Sequence, residues 1–284
     1  MAAEPIGVTE AAVLIPEIWY PKMLEGRYAA QVIAPRVLRV DGFVAAKGNK
    51  LNIPIEPAVT AAAVGASGAI TITNYTPTEV ELSVDQWYHS ALAVEDIVDA
   101  QAHLDVAKAF VPSFGKVLAK QIDESLAAEY SNVSTNSVGD SASAISDELI
   151  LAAIQKLVAL DIPVDNMNDI SMALHSSRWS DVKAIDKYSF SNYTGQNEGG
   201  MLKYAAPAPY GVPIYFSTTI DSNADAYQNM LFHRQAFACG VQKNFRLQMK
   251  DMSEKLAKLM VADILYGVKT VRENHACLLL SKTA

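Results

Sequence analysis

The sequence predicts an α+β fold with a mainly antiparallel sheet, and three observations carry that expectation. Apolar and polar residues alternate on either side of an uncharged stretch, from Leu51 to Val84, which marks a long β-hairpin. An apolar residue recurs at every fourth position from Val106 to Tyr130, which marks a long helix with one buried stripe. Helical and strand patterns then interleave from Ile145 onward.

Taken in chain order, residues 15–35 mix apolar side chains with Pro16, Pro21 and Pro35, leaving room for only a short helix over 22–32. The segment reads as an arm packed on something else. Leu51, Ile53 and Ile55 then alternate with Asn52, Pro54 and Glu56, a half-buried strand that Pro54 places at an edge. Residues 58–69 contain only Ala, Val, Thr, Gly and Ser and predict a flexible tip. Alternation resumes at Ile70 and Ile72, and again at Val80, Leu82 and Val84 opposite Glu79, Glu81 and Ser83, so the two arms can pair. A two-stranded ribbon is marginal in water by itself and needs a partner surface.

Val94, Ile97 and Val98 predict a short helix with Glu95, Asp96 and Asp99 in its first turns. The long helix follows through Val106, Phe110, Phe114, Leu118, Ile122, Leu126 and Tyr130. Its length is about 37 Å at 1.5 Å per residue. Pro112 lies off the stripe and is expected to kink it. A polar loop over 131–143 is the best candidate boundary. Beyond it, 145–160 predicts a helix capped by Ser146 or Asp147 and stopped by Pro163. A strand at 170–174, a short helix at 178–185 and an irregular, exposed stretch at 188–208 come next. Strands are expected at 212–217, 228–233, 245–249, 258–266 and 276–280.

With 50% apolar and 19% charged residues in 284, the chain is expected to fold around a sizeable core. A formal net charge of -8 repels phosphate and excludes a broad electrostatic footprint for nucleic acid. Lys243, Arg246 and Lys250 form the longest basic cluster, but Asp251 and Glu254 follow at once, so it reads as a solvated strand edge. Cys239 and Cys277 sit in apolar stretches and read as core, which suits folding in a reducing cytoplasm. Glu4 and Glu10 stand where a secretory signal would carry cations, and no apolar run reaches the roughly 20 residues that span a bilayer. The expectation is a soluble protein without a membrane partner.

The chemistry-bearing residues are sparse. His89, His103, His175, His233 and His275 lack metal-ligand spacing, and His275 with Cys277 offers two ligands where zinc needs four. Glu95 with Asp99 and Asp123 with Glu124 read as solvated helix faces. Ser113-Phe114-Gly115-Lys116 matches the S-x-x-K of penicillin-recognising serine enzymes, and Tyr130-Ser131-Asn132 follows. One helix would hold Ser113 and Tyr130 about 25 Å apart, however, and the final Lys282-Thr283-Ala284 is not the K-T-G that mechanism requires. A second S-x-x-K at Ser180 and Lys183 shows how readily the pattern arises. Neither phosphate-cradling glycine loop is present, and the three glycosylation sequons carry no weight without a secretory signal. No catalytic, cofactor-binding or metal site is predicted.

The order of elements is an arm, a projecting hairpin, a long kinked helix, a compact α+β region and returning strands. That order resembles the major capsid proteins of tailed bacteriophages, the Hong Kong 97-like fold also seen in encapsulin shells. Local stretches carry the likeness along nearly the whole chain: Ile15-Pro16-Glu17-Ile18-Trp19, Lys50-Leu51-Asn52-Ile53-Pro54, Gln121-Ile122-Asp123 within 119–126, Tyr210-Gly211-Val212-Pro213-Ile214, the run from Leu231 to Ala238, and Tyr266-Gly267. The resemblance implies an N-terminal arm at 1–36, an extended β-hairpin loop at 37–90, a long spine helix, a peripheral domain from 91–141 and 241–284, and an axial domain at 142–240.

It further implies a non-enzymatic subunit of an icosahedral virion capsid. That subunit assembles in the host cytoplasm into pentamers and hexamers around double-stranded DNA held without sequence specificity, with a portal. Some members join an extended-loop lysine to an asparagine; here Lys47 and Lys50 lie at the loop's base, so that chemistry does not carry over. The chain begins almost directly with the arm, which suggests a separate scaffolding protein or none. An encapsulin-like compartment is the alternative within the fold, and a serine acyl-enzyme hydrolase the alternative outside it.

Overall fold

The computed structural model describes residues 31–44, 48–57, 59–64, 70, 72, 76–101, 106–133, 135–160, 162, 169–189, 208–223 and 226–283. Its elements are β1 (Leu38–Arg39), α1 (Asp41–Val44), β2 (Lys50–Ile55), β3 (Thr78–Ser83), β4 (Gln86–Glu95), α2 (Asp96–Gln101), α3 (Val106–Ala128) and β5 (Ser137–Gly139). They continue with α4 (Asp147–Val158), β6 (Ile170–His175), α5 (Trp179–Lys183), α6 (Asp186–Ser189), β7 (Ile214–Ser217), β8 (Ser222–Asn223), β9 (Ala226–His233), β10 (Phe237–Met252), β11 (Ala257–Thr270) and β12 (Ala276–Lys282). One sheet has the order β1-β10-β11-β4, and a second has the order β5-β12-β9-β6-β7 with β8 on β9. β2 and β3 form a separate two-stranded ribbon. Most pairings are antiparallel; β1–β10, β5–β12 and β6–β7 are parallel.

The helical stripe packs as the four-residue spacing requires. Phe114, Leu118, Ile122 and Leu126 of α3 are buried in one core with Met260, Ala262, Ile264 and Tyr266 of β11 and Val94 of β4. A second core joins Ile150, Ala153 and Leu157 of α4 to Ile170, Met172 and Leu174 of β6 and Leu279 of β12. Ser146 caps α4 by accepting the Leu149 amide at 3.3 Å. A third, smaller core sets Leu82 and Val84 against Val40, Val44 and Ala238, which roots the ribbon. Gly267 allows that root: a Cβ there would collide with the backbone carbonyl of Ser83.

Both ribbon strands follow the expected alternation, with Leu51, Ile53 and Ile55 half-buried between exposed neighbours and Ile53 paired with Val80. Pairing stops at Ile55 and Thr78. Ile70 and Ile72 belong to no strand and are 79% and 86% exposed, so the expected strand over them is corrected: among the described residues no strand lies opposite to cover them. Residues 22–30 of the expected arm helix, and residues 190–207 of the irregular stretch, lie outside the described residues.

Four further expectations change. Val94 and Glu95 end β4 instead of opening a helix, because β11 offers ladder partners to the whole of Gln86–Glu95. The polar loop contains β5, which pairs in parallel with Leu278 to Leu280. The end of the arm is core: Val32, Ile33, Ala34 and Val37 are buried within the subunit itself. Asp123 is not on a solvated face but 0% exposed.

Asp123 explains the buried arm. Its Oδ2 accepts the amides of Val32 and Ile33, the latter at 3.1 Å, and its Oδ1 accepts the Ala34 amide at 2.9 Å. These residues precede and enter a single 3-10 turn whose Pro35 has no amide to offer, so the carboxylate takes the free donors of that turn. Burial pushes the carboxyl above its usual value, while the three amides and the nearby Arg36 charge oppose the shift.

Two substitutions test this core. Asp123→Ala leaves three amides without their acceptor and should lower the unfolding free energy in urea by about 3 kcal/mol. Phe114→Asp should give insoluble or molten protein, because an unpaired charge replaces a ring in the α3 core. Cooperative unfolding of soluble Phe114→Asp protein would contradict the placement of the stripe.

Candidate functional site

The residues that could carry catalysis do not converge. Ser113 is buried on α3 and Lys116 is exposed one turn on. Tyr130, Ser131 and Asn132 lie in a 3-10 segment past the far end of the same helix. Asn132 donates to Glu129 at 2.8 Å, so its amide serves the local turn. Ser180 and Lys183 occupy the short α5.

His275 faces His233, with ring centroids 5.6 Å apart, whereas Cys277 is buried in the α4 core, so the pair divides between two environments. Burial and the charge of Arg272 press the His275 ring down to about 4, keeping it neutral. Burial raises both thiols, Cys239 and Cys277, to about 11 and leaves them unreactive. Among the described residues, no group of three or more His, Cys, Asp or Glu could hold a metal ion. Glu124 pairs with Lys120 at 2.7 Å, and Glu95 is exposed at the end of β4. His103 lies outside the described residues. Among the described residues, no helix is long and apolar enough to cross a membrane.

One carboxylate does gather several groups. Asp147, at the start of α4, accepts the hydroxyls of Tyr188 at 2.6 Å and Tyr210 at 2.7 Å, and pairs with Lys187 at 2.5 Å. Tyr210 holds a left-handed backbone, φ 55°, beside Gly211 at φ 81°. Such a backbone costs a side-chain-bearing residue roughly 1–2 kcal/mol. The hydroxyl bond to Asp147 fixes the ring where that turn points it. Burial pushes the Asp147 carboxyl up, but Lys187, Tyr188 and Tyr210 outweigh it and hold the carboxyl below the usual carboxylate value. The shallow depression beside it, about 620 Å³ in volume, is open to solvent and is lined by Asp181, Glu148, Lys187 and Ser146, whose hydroxyl is engaged in capping α4. The cluster is an anchor for the two chain segments that meet there.

Several large apolar side chains stand exposed on the surface. The ribbon's continuation carries Val59, Val64, Ile70 and Ile72 exposed, with Phe43 exposed near its base. The four-stranded sheet packs one face on α3, and the other face bears exposed Trp87 with Ala91 and Ala93 of the same strand. β10 pairs with β1 only at Ala238 and Cys239; beyond Val241 its pairing is with β11 alone among the described residues, leaving a long free edge. Lys243, Arg246 and Lys250 are exposed on that strand, as expected of its basic cluster. Sequence reasoning missed Trp87 because the expected short helix was centred on the residues that follow. The alternation of Tyr88, Ser90, Leu92 and Val94 was the available signal.

No family model matches the sequence, and no curated protein matches it. Solved structures do match. A chain of Mycobacterium phage Che8 is 22% identical, with a TM-score of 0.79 over 93% of this chain and 96% of that one. The capsid structure of the cyanophage P-SCSP1u contains a chain 15% identical, TM-score 0.70, over 96% and 94%. The mature capsid of bacteriophage PhiM1 contains one 12% identical, TM-score 0.73, over 95% and 93%. The chain therefore has the α+β fold of phage capsid chains along almost its whole length, and the resemblance to tailed-phage major capsid proteins holds at the level of the fold.

The Asp147 anchor has a pH signature. A carboxyl held below its unfolded value stabilises the fold above about pH 4 and loses that contribution as pH falls through the lowered folded value. The protection factors of the Gly211 and Val212 amides, which correct for the intrinsic slowing of exchange toward acid, should therefore be high at pH 7 and pH 5 and fall only below about pH 4. Asp147→Ala should show faster exchange there at pH 7 by about tenfold, with that acid step removed. An unchanged profile in the variant would mean the cluster anchors nothing.

Proposed function

We propose that this chain is the structural subunit of a tailed-phage-type capsid, with the virion as its place of action and no enzymatic role. The observation that carries this reading is the two-way coverage of the fold likeness. More than nine-tenths of this chain and of each matched chain correspond, so the likeness takes in nearly the whole given sequence rather than one module of it. The surface supports it: for such a subunit the function is packing against copies of itself.

In this reading copies assemble in the host cytoplasm into pentamers and hexamers that enclose double-stranded DNA, with a portal and either a separate scaffolding protein or none. The division into arm (1–36), extended loop (37–90), peripheral domain (91–141 and 241–284) and axial domain (142–240) belongs to the same proposal. Each ribbon lies across a neighbour and covers surface that is wet in the free subunit. The acidic charge of -8 is compatible with DNA held by confinement rather than by phosphate contacts.

Negative-stain electron microscopy of the purified protein should show closed shells or capsomers. Only monodisperse monomers at high concentration, under conditions that assemble such subunits, would defeat the proposal. DNA inside particles formed in a host supports the phage reading, and an enclosed enzyme the encapsulin-like one. Elastase should cut free subunits first within residues 59–64, which are exposed, while assembled particles resist at the same enzyme ratio. Deleting residues 58–70 should abolish or misdirect assembly yet leave a folded subunit. Normal particles from that deletion would assign the segment to the subunit alone.

A further inference from the structure

A strand at the edge of a sheet carries unpaired N–H and C=O groups, and a fold normally blunts a long one with charge, proline or a covering segment. β10 from Lys243 to Asp251 is such an edge: β11 is its only ladder partner among the described residues, and every residue of the stretch except Leu247 is exposed. On the α3 side of the sheet the Phe245 ring lies against Gly115, Leu247 packs on the α3 core, and Met249 pairs with the buried Met260. Phe245 is nevertheless 40% exposed and Met249 61%. On the other side Arg246 pairs with Asp263 and Lys250 with Leu259.

The order of these side chains is self-complementary. Laid antiparallel on itself with Leu247 opposite Leu247, the strand sets Phe245 opposite Met249, Arg246 opposite Gln248, Asn244 opposite Lys250 and Lys243 opposite Asp251. Apolar side chains meet apolar ones, and no cation meets a cation. The neighbouring two-fold registers lose this match. Centred on Gln248, Arg246 falls opposite Lys250 and Phe245 opposite Asp251; centred on Arg246, Lys243 falls opposite Met249 and Asp251 opposite Val241.

Edge cations usually repel a second strand. Here Asp263 neutralises Arg246 through hydrogen bonds of 2.9 and 2.8 Å, and the favoured register gives the two lysines Asn244 and Asp251 to face. The β10–β11 register slips between Lys243 and Arg246, so Lys243 reaches Asp251 on its flexible stem rather than from a flat ladder position.

We propose that the free edge of β10 docks β10 of a second copy of the chain, the two strands running antiparallel about a two-fold axis at Leu247. The pairing joins two four-stranded sheets into one, with both α3 helices on the same face and Phe245, Leu247 and Met249 of each copy as an apolar seam between them. It adds to the capsid-subunit reading a contact between like edges; such a dimer can exist without a shell, and a shell without it.

Disulfide formation tests the register. Cys239 and Cys277 are both buried, so Phe245→Cys and Met249→Cys each give one accessible thiol. Directly opposed residues have Cβ atoms about 5 Å apart. Like residues of the two copies, 245 and 245 or 249 and 249, stand about 14 Å apart along the strands. The two full-length variants, one of them tagged, are oxidised separately and mixed, and the products are read by non-reducing electrophoresis and mass spectrometry. The mixture should give a disulfide dimer joining residues 245 and 249 in about tenfold excess over either variant alone. Equal crosslinking in all three samples, or none in the mixture, would overturn the docking assignment. Sedimentation equilibrium of free subunits supplies a second measurement. Lys243→Asp and Asp251→Lys, both at exposed positions, should each weaken the dimer about tenfold, and the two together should restore it to within about threefold. A double variant no tighter than the single ones would refute the register. Shells that form without the 245–249 disulfide leave the capsid reading intact and remove this contact; the disulfide without shells does the reverse.

Discussion

The buried carboxylate of Asp123 is the contact on which the subunit's layout depends. It sits on α3 beside Ile122 and near Leu126, cut off from water, and its oxygens are satisfied by three successive backbone amides of residues 32–34. A buried charge of this kind tolerates little displacement, because any shift leaves it or the amides unsolvated. The end of the arm is therefore fixed against the middle of the long helix. Arg36 follows, donating to the Val32 carbonyl at 2.5 Å and lying 3.3 Å over the Tyr215 ring, which reaches toward the second sheet. One polar contact thus sets the direction of chain entering β1 and ties the arm to both cores.

From that point the architecture follows by pairing. β1 adds to β10, the Val241 amide donates to Asp41 at 2.8 Å, and Gln242 reaches the Val44 and Gly48 carbonyls. These contacts use up the edge of β10 only as far as Gln242. The rest of the strand is left with one neighbour among the described residues, and α1 with the ribbon's root covers the sheet's outer face only around Ala238 and Leu265. A two-layer unit normally hides both, or breaks the edge with charge and proline. Here the edge carries cations without proline, and the face carries a pinned tryptophan. The fold is closed by the α3 and α4 cores and leaves this edge of the sheet open.

The parts legible in the sequence were those in which periodicity and burial coincide. The ribbon strands, the α3 stripe, the Ser146-capped α4 and the closing strands follow from spacing alone, because each has one wet and one dry face. β4 was misread at its end: Ala91-Leu92-Ala93-Val94-Glu95 places alanines on the outer face, so the alternation lacks polar contrast and resembles a helix start. β5 is three residues long and is held by β12, a partner about 140 residues away, a distance over which local pattern has no reach. Asp123 was unreadable for a different reason. Next to Glu124 it looks like a solvated pair, and only the third dimension shows Glu124 reaching Lys120 while Asp123 turns inward.

The absence of a converging nucleophile, base and orienter among the described residues is not itself a proof of function, but the distribution of polar chemistry is informative. The carboxylates of Asp123, Asp147 and Asp263 each satisfy several donors at once. Catalytic groups are the reverse, held by one side so that another remains free for substrate. Each of these carboxylates holds two or more chain segments in register. In this chain Asp123 fixes the arm, Asp147 fixes the turn at Tyr210, and Asp263 fixes Trp87. Both Tyr210 and Trp87 are exposed, so two of the three carboxylates hold an aromatic ring in place at the surface.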